Sequence, residues 1–359
     1  MHCYFMDRLL FPLLAYSHAD YVEALAQAIG KGRQHAALFY ECFVRTGAPP
    51  SPDHPAFQTA QGIYSKLLEL TDLEMPTLLS EKSDGNTGKF LLRTADNLEI
   101  ESVLIPMQSG GTLCISSQVG CQMGCTFCET GRMGLLRNLR TEEILAQVFA
   151  ARHQLKFDFT NVVFMGMGEP FDNFDNVLRA AEILIDQKGF GCGKKNVTIS
   201  TSGRADEIRR LAALPGDTPN LAVSINAPND LLRNKLMPIN RKYPLGVLYE
   251  AMRAYNEATG RQILAAYVLI KDFNDSLEHA AELAAYLRGL DVKINLIPYN
   301  PQSKDRYQPP EKETVDAFLA FLRQAGYQTL LRVTKGRNIM AGCGQLGNLE
   351  LRRKKLALL

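Results

Sequence analysis

The chain has 359 residues, 46% hydrophobic and 22% charged, the balance of an ordinary globular protein of about two domains. That excludes disordered and collagen-like classes, and no stretch approaches the roughly 18 consecutive apolar residues of a membrane span. With 40 Lys and Arg against 38 Asp and Glu the net charge is +2, so any site for a polyanion must be a local patch.

The first stretch, MHCYFMDRLLFPLLAYSHAD, has Asp7 and Arg8 ahead of its apolar run and no clean small-residue cleavage site after it. It reads as a helix of a mature, cytoplasmic chain rather than a signal peptide. Residues 1–88 carry apolar positions at helical spacing, as in YVEALAQAI and GIYSKLLEL, broken by the turn-forming GAPPSPDHPAF; they predict a small helical domain. KFLLRT and LEIESVLIPM, joined by ADN, predict a bridging β-hairpin over 89–111. From 112 to 346, β-rich runs (TLCISSQV, NVVFMGMG, NVTISTSG, NLAVSINA, ILAAYVLI, KINLIPYN, TLLRVTK) alternate with helical segments such as TEEILAQVFAARHQ. Strands alternating with helices imply βαβ units and a mainly parallel sheet. The expected class is α/β, a partial barrel of about six repeats with functional residues at the carboxyl ends of its strands. Residues 347–359 form a basic tail, read as a solvated end.

Eight cysteines in 359 residues are too few for a disulfide scaffold, and their clustering points to metal or redox chemistry. Cys121, Cys125 and Cys128 form a C-x3-C-x2-C run directly after the first barrel strand. Structural zinc sites normally draw on four Cys or His ligands, and no second pair or nearby His is present. An iron–sulfur cube held by three thiolates keeps one iron open for a non-protein ligand. Cys114 lies seven residues before Cys121, and Cys343 sits in AGCGQ, whose glycines predict flexibility. Cys3, Cys42 and Cys192 take the ordinary reading of small buried residues.

The triplet, together with CISSQVGCQMGCTFC, GRMGLLRNLRTEEI, VVFMGMGEP, VTISTSG, SINAPND, INLIPYN and AGCGQL, resembles the radical SAM superfamily and, within it, the RlmN/Cfr family of RNA adenine methyltransferases. The match runs in order from about residue 97 to 346. It implies a partial (β/α)6 radical SAM barrel with an N-terminal accessory domain whose position suggests RNA handling. It also implies a 4Fe–4S cluster on Cys121, Cys125 and Cys128, with S-adenosylmethionine on the open iron. Gly168 and Glu169 would receive the amino group of that cofactor. Ser200, Ser224, Ile225 and Asn226 would bind its ribose and carboxylate, and Asn300 its adenosyl group. Where the family commonly has Ser-x-His, this chain has Ser224-Ile225-Asn226.

The same resemblance assigns the chemistry. Cys343 would be methylated, and its methyl group would lose hydrogen to a deoxyadenosyl radical and add to an adenine ring carbon. Glu101 would remove the ring proton, and Cys114 would attack the Cys343 sulfur, leaving a Cys114–Cys343 disulfide. The expected target is carbon 2 of adenine in 23S rRNA, with tRNA as a second candidate. Three alternatives stay open: carbon 8, a radical SAM enzyme acting on a protein or small molecule, and a binding module with a structural metal. The expected partners are RNA and an electron donor such as flavodoxin or ferredoxin, with no membrane and a monomeric chain. Arg132, Arg137, Arg140, Lys194, Lys195, Arg241, Lys242, Lys335 and Arg337 are candidate phosphate contacts.

Overall fold

The computed structural model describes residues 10–107, 110–216, 218–302, 305–332 and 335–348. Cys3 and most of the basic tail, 349–359, lie outside these. The N-terminal apolar run is not a helix where described: Phe11–Pro12 (β1) pairs in parallel with Thr71–Asp72 (β2), and Leu13–Ala15 is a 3-10 turn. Helices then follow at His18–Ile29 (α1), Arg33–Thr46 (α2) and Gln61–Leu70 (α3). Ser17 caps α1, its hydroxyl accepting from the Asp20 amide at 3.3 Å, which satisfies one of the orphaned first-turn donors. Tyr21, Leu25, Phe39, Tyr40, Val44 and Leu67 are fully buried in a cluster continuous with the barrel core. Each such side chain contributes roughly 1.5–3 kcal/mol of burial.

Helix stops at Leu70, earlier than the sequence pattern predicts, because Thr77–Asp84 (β3) is a strand. Its mostly exposed, charge-bearing sequence TLLSEKSD suits an outermost sheet edge, where Lys and Glu discourage pairing with other chains. β3 continues antiparallel into Thr87–Arg93 (β4), Glu99–Met107 (β5) and Gly110–Cys114 (β6). The hairpin region is thus part of the main sheet. A small pair, Gln118–Val119 (β7) and Arg137–Asn138 (β8), follows.

From β6 the sheet is parallel. Asn161–Phe164 (β9), Val197–Thr201 (β10), Asn220–Ser224 (β11), Ile263–Leu269 (β12), Val292–Pro298 (β13) and Thr329–Leu331 (β14) complete the ten-stranded order β14-β13-β12-β11-β10-β9-β6-β5-β4-β3. Seven strands run parallel, one more than six βα repeats require, since β14 closes the series. The connecting helices are Glu129–Met133 (α4), Thr141–Phe149 (α5), Phe174–Ile185 (α6), Ala205–Ala212 (α7), Asp230–Leu236 (α8), Leu245–Thr259 (α9), Leu277–Tyr286 (α10) and Lys312–Gln324 (α11). Helix α5 gives way to a π turn at Ala150–Gln154. Thr112 of β6 and Leu330 of β14 line one solvent-open cavity, so the sheet curls until the ends of its parallel run face each other. Among the described residues no helix is long and apolar enough to cross a membrane.

Candidate active site at the carboxyl end of the barrel

A cavity with an empty volume of about 1000 Å³, open solvent at its mouth included, opens at the carboxyl ends of the parallel strands. All three cysteines of the triplet line it, together with Gly168, Glu169, Ser200, Ser224, Asn226, Arg332 and Cys343. The cysteine loop is held mainly by backbone. The Cys121 amide donates to the Gly134 carbonyl at 3.1 Å, the Thr126 amide to Leu236, and the Cys128 amide to Cys125. Gly120 has φ +78°, and a Cβ there would lie 1.8 Å from the Gly134 carbonyl oxygen, so only glycine lets the loop turn this close.

Burial pushes the thiols of Cys121, Cys125 and Cys128 up, so metal loading here would release protons. Among the described residues no three His, Cys, Asp or Glu side chains converge on a single ion. The three thiols instead surround one wall of a shared cavity, a donor set suited to a cluster in which each thiolate binds its own iron.

The strand ends supply polar groups. Glu169 is buried, its oxygens accepting from the Phe171 amide at 3.1 Å and the Ser202 amide at 2.7 Å. Burial pushes its carboxyl up against the opposing pull of these donors, and a cationic ligand would favour the ionised form. The Ser202 hydroxyl is buried without a partner on the wall of the same cavity. At Gly168, φ +108°, a Cβ would press on Gln118 and Ser117. A buried acceptor pair and an orphaned hydroxyl fit the ammonium and hydroxyls of S-adenosylmethionine. Ser200 and Ser224 line the cavity as expected, but Ile225 is buried behind it and contributes its carbonyl to Arg233. Asn226 lines the wall in the left-handed region, φ +56°, which asparagine tolerates. Its side-chain oxygen accepts from the Val268 amide at 3.0 Å, so it braces the turn at the position of the family histidine.

The Cys343 segment is tethered rather than loose. Asn300 donates to the Cys343 carbonyl at 3.1 Å, the Glu129 amide to Gly344 at 2.7 Å, and the Thr130 hydroxyl to Leu346 at 2.5 Å. Gln302 donates to both Phe127 and Gly344, joining the cysteine loop to the Cys343 segment. Asn300 therefore lines a second cavity beneath Cys343, with Cys343 and Arg332 bordering both cavities. Glu101 lines neither. It pairs with Lys89 at 3.2 Å and accepts from the Gly347 amide at 2.9 Å, while Lys89 reaches the Met340 carbonyl. Cys114 is buried at the end of β6. Burial first, and then neighbouring Cys343, push its thiol up to about 12 against the opposing pull of Arg332. Both thiols are free cysteines, so the expected Cys114–Cys343 disulfide is not formed here.

Two side chains escape the sequence reading. Arg233 is fully buried and donates to the carbonyls of Ser202, Ser224 and Ile225 and to Asn240, fixing the ends of β10 and β11. Arg332 borders the same two cavities as Cys343. Several predicted phosphate contacts are engaged internally: Arg137 bridges Asp96 at 2.7 Å and Glu143 at 2.8 Å, Arg132 pairs with Glu129, and Lys335 donates to the Pro106 carbonyl. Lys194, Lys195, Arg241, Lys242 and Arg337 are exposed.

Residues 115–284 match the model of the radical SAM superfamily. A probable dual-specificity RNA methyltransferase RlmN 1 of Protochlamydia amoebophila is 58% identical over 343 residues, 96% of each chain. A dual-specificity RNA methyltransferase RlmN of Sinorhizobium fredii is 45% identical over 78% of this chain and 74% of its own. The crystal structure of a radical SAM methyltransferase from Sphaerobacter thermophilus superposes with a TM-score of 0.85 at 40% identity, covering 93% of this chain and 98% of that one. The chain belongs to the RlmN family of RNA methyltransferases within the radical SAM superfamily, enzymes that use a 4Fe–4S cluster and S-adenosylmethionine.

Proposed function

We propose that this chain methylates carbon 2 of adenine in 23S rRNA and tRNA, using Cys343 as the methyl carrier. The observation that carries the reading is that Cys343 opens onto the same cavity as the cluster thiols. The dual-specificity name of the relatives fits two RNA substrates.

When bound, the cluster supplies the electron that splits S-adenosylmethionine. Cys121, Cys125 and Cys128 hold it; Gly168, Glu169, Ser200 and Ser224 orient the cofactor. An adenine ring carbon between two nitrogens is too electron-poor to attack a sulfonium methyl directly, whereas a cysteine thiolate does so readily. Cys343 thus takes the methyl group first and presents it to the base. Glu101, tied to the Cys343 segment through Gly347, takes the ring proton, and Cys114 attacks the Cys343 sulfur to free the product. The RNA base must be unstacked to enter. The enzyme works as a cytoplasmic monomer fed by a flavodoxin- or ferredoxin-type donor.

Anaerobic incubation of the reconstituted enzyme with deuterated S-adenosylmethionine and protein-free 23S rRNA or tRNA, followed by nucleoside mass spectrometry, tests this. Labelled 2-methyladenosine is expected; 8-methyladenosine would place the enzyme with the carbon-8 branch. Deoxyadenosine release without a labelled base would point to a different substrate.

A further inference from the structure

Lys89 lies on β4 and Glu101 on β5, and in their antiparallel register Lys89 stands opposite Val103 while Leu91 stands opposite Glu101. Lys89 and Glu101 are therefore diagonal neighbours on one face of the sheet, a spacing that long side chains span. Their charged ends meet at 3.2 Å, with each side chain only 14% exposed. A pair so far removed from water is stable when further hydrogen bonds satisfy its remaining donors and acceptors. Here those bonds go to one segment: the Lys89 ammonium donates to the Met340 carbonyl at 3.4 Å, and the second Glu101 oxygen accepts from the Gly347 amide at 2.9 Å.

Met340 and Gly347 bracket Cys343, and no helix or strand lies between them. The ends of this segment are thus fixed by side chains from elsewhere. Met340 has φ +52°, a left-handed conformation unfavourable for a residue with a side chain, and the Lys89 bond falls on its carbonyl. Flanking bonds reinforce the same two ends, with Asp84 accepting from the Asn338 amide at 3.2 Å and Glu99 from the Asn348 side chain at 3.3 Å. Asn300, Gln302, Glu129 and Thr130 hold the stretch between, at Cys343, Gly344 and Leu346.

We propose that the Lys89–Glu101 ion pair clamps both ends of the Cys343 segment, which makes Lys89 a positioning residue and gives Glu101 a holding role besides proton removal. This rests on the methyl-carrier reading above. Methyl transfer needs the Cys343 sulfur in line with the sulfonium methyl, and a displacement of about 1 Å can cost on the order of 100-fold in rate. A segment without regular structure keeps such a placement when its ends are tied to something rigid. The pair ties both ends to adjacent strands of one sheet through charge-assisted bonds, which are stronger than neutral ones.

The test uses the reconstituted holoenzyme without RNA, so that Glu101 has no ring proton to remove. Hydrogen exchange reads the amides of 341–347, and peptide mass spectrometry follows a labelled methyl group from S-adenosylmethionine to Cys343. Lys89→Met and Glu101→Ala are each expected to speed exchange about tenfold, the loss of one charge-assisted hydrogen bond, and to slow methyl transfer about tenfold. Affinity for S-adenosylmethionine, read by equilibrium dialysis, is expected to stay within about twofold, because neither residue lines the cofactor cavity. Lys89→Arg keeps the charge and is expected to stay within about threefold of the parent in both readouts. Lys89→Gln takes the place of the Met variant if cluster absorbance shows the latter to be misfolded. Unchanged exchange in the charge-free variant would overturn the proposal. So would a Glu101→Ala enzyme that matches the parent in both readouts, the behaviour of a residue that only removes a proton. A parent enzyme whose Cys343 never acquires the methyl group would instead refute the methyl-carrier reading, while exchange still decides the clamp.

Discussion

The two walls of the active site are built in different ways. The cysteine-loop wall is local: the triplet spans eight residues and its turns close through backbone bonds and Gly120. The Cys343 wall is assembled from a distance, by Asn300, Gln302, Thr130 and the Glu129 amide. A cofactor-holding wall needs fixed spacing, which contiguous sequence provides. Under the proposed function, a wall that carries a methyl group from cofactor to RNA would gain from many separable tethers, each worth about 1 kcal/mol.

The comparison can be broken at either wall. Cys125→Ala should abolish cluster binding and all cofactor cleavage, read by iron and sulfide content and deoxyadenosine release. Cys343→Ala should keep the cluster absorbance yet lose base methylation entirely; normal product formation would sink the methyl-carrier role. Arg233→Met leaves the carbonyls of Ser202, Ser224 and Ile225 without their donor, at about 1–3 kcal/mol each where desolvated. Urea unfolding of the cluster-free protein should show a loss on the order of 3 kcal/mol, with weakened cofactor binding.

Gln302→Ala removes the bridge between the walls and should raise hydrogen exchange across 341–347 while lowering methylation about tenfold, roughly the loss of one or two hydrogen bonds. The smallest effect is expected at Asp96, whose carboxyl Arg137 holds below the usual carboxylate range, chiefly through their hydrogen bonds. Because the folded value is depressed, the pair's stabilisation is present above about pH 4 and is lost as pH falls further. Asp96→Asn should cost under about 1 kcal/mol at neutral pH, since the group is half exposed, and nothing in strong acid.

What the sequence made legible follows the same division. The triplet, the Gly168-Glu169 strand end and all seven parallel strands were readable because each is a contiguous pattern. Arg233 and Arg332 were not, since their partners lie on other elements, and an arginine on a helix or after a strand reads as solvated. Asn226 looked like a loss of the family histidine, yet its positive φ makes asparagine a natural occupant. The donation of Asn300 to the Cys343 carbonyl was not legible either, since the two residues lie 43 positions apart. Strand β3 was hidden in an apparently helical region because an exposed edge strand needs little hydrophobic alternation.

The most direct test of the central claim follows one labelled methyl group. The enzyme is charged with deuterated S-adenosylmethionine, freed of excess cofactor, and chased with RNA and unlabelled S-adenosylmethionine in a single turnover. The account predicts label first on the Cys343 peptide and then, as that signal decays, in 2-methyladenosine. Unlabelled product formed while the label stays on Cys343 would contradict it.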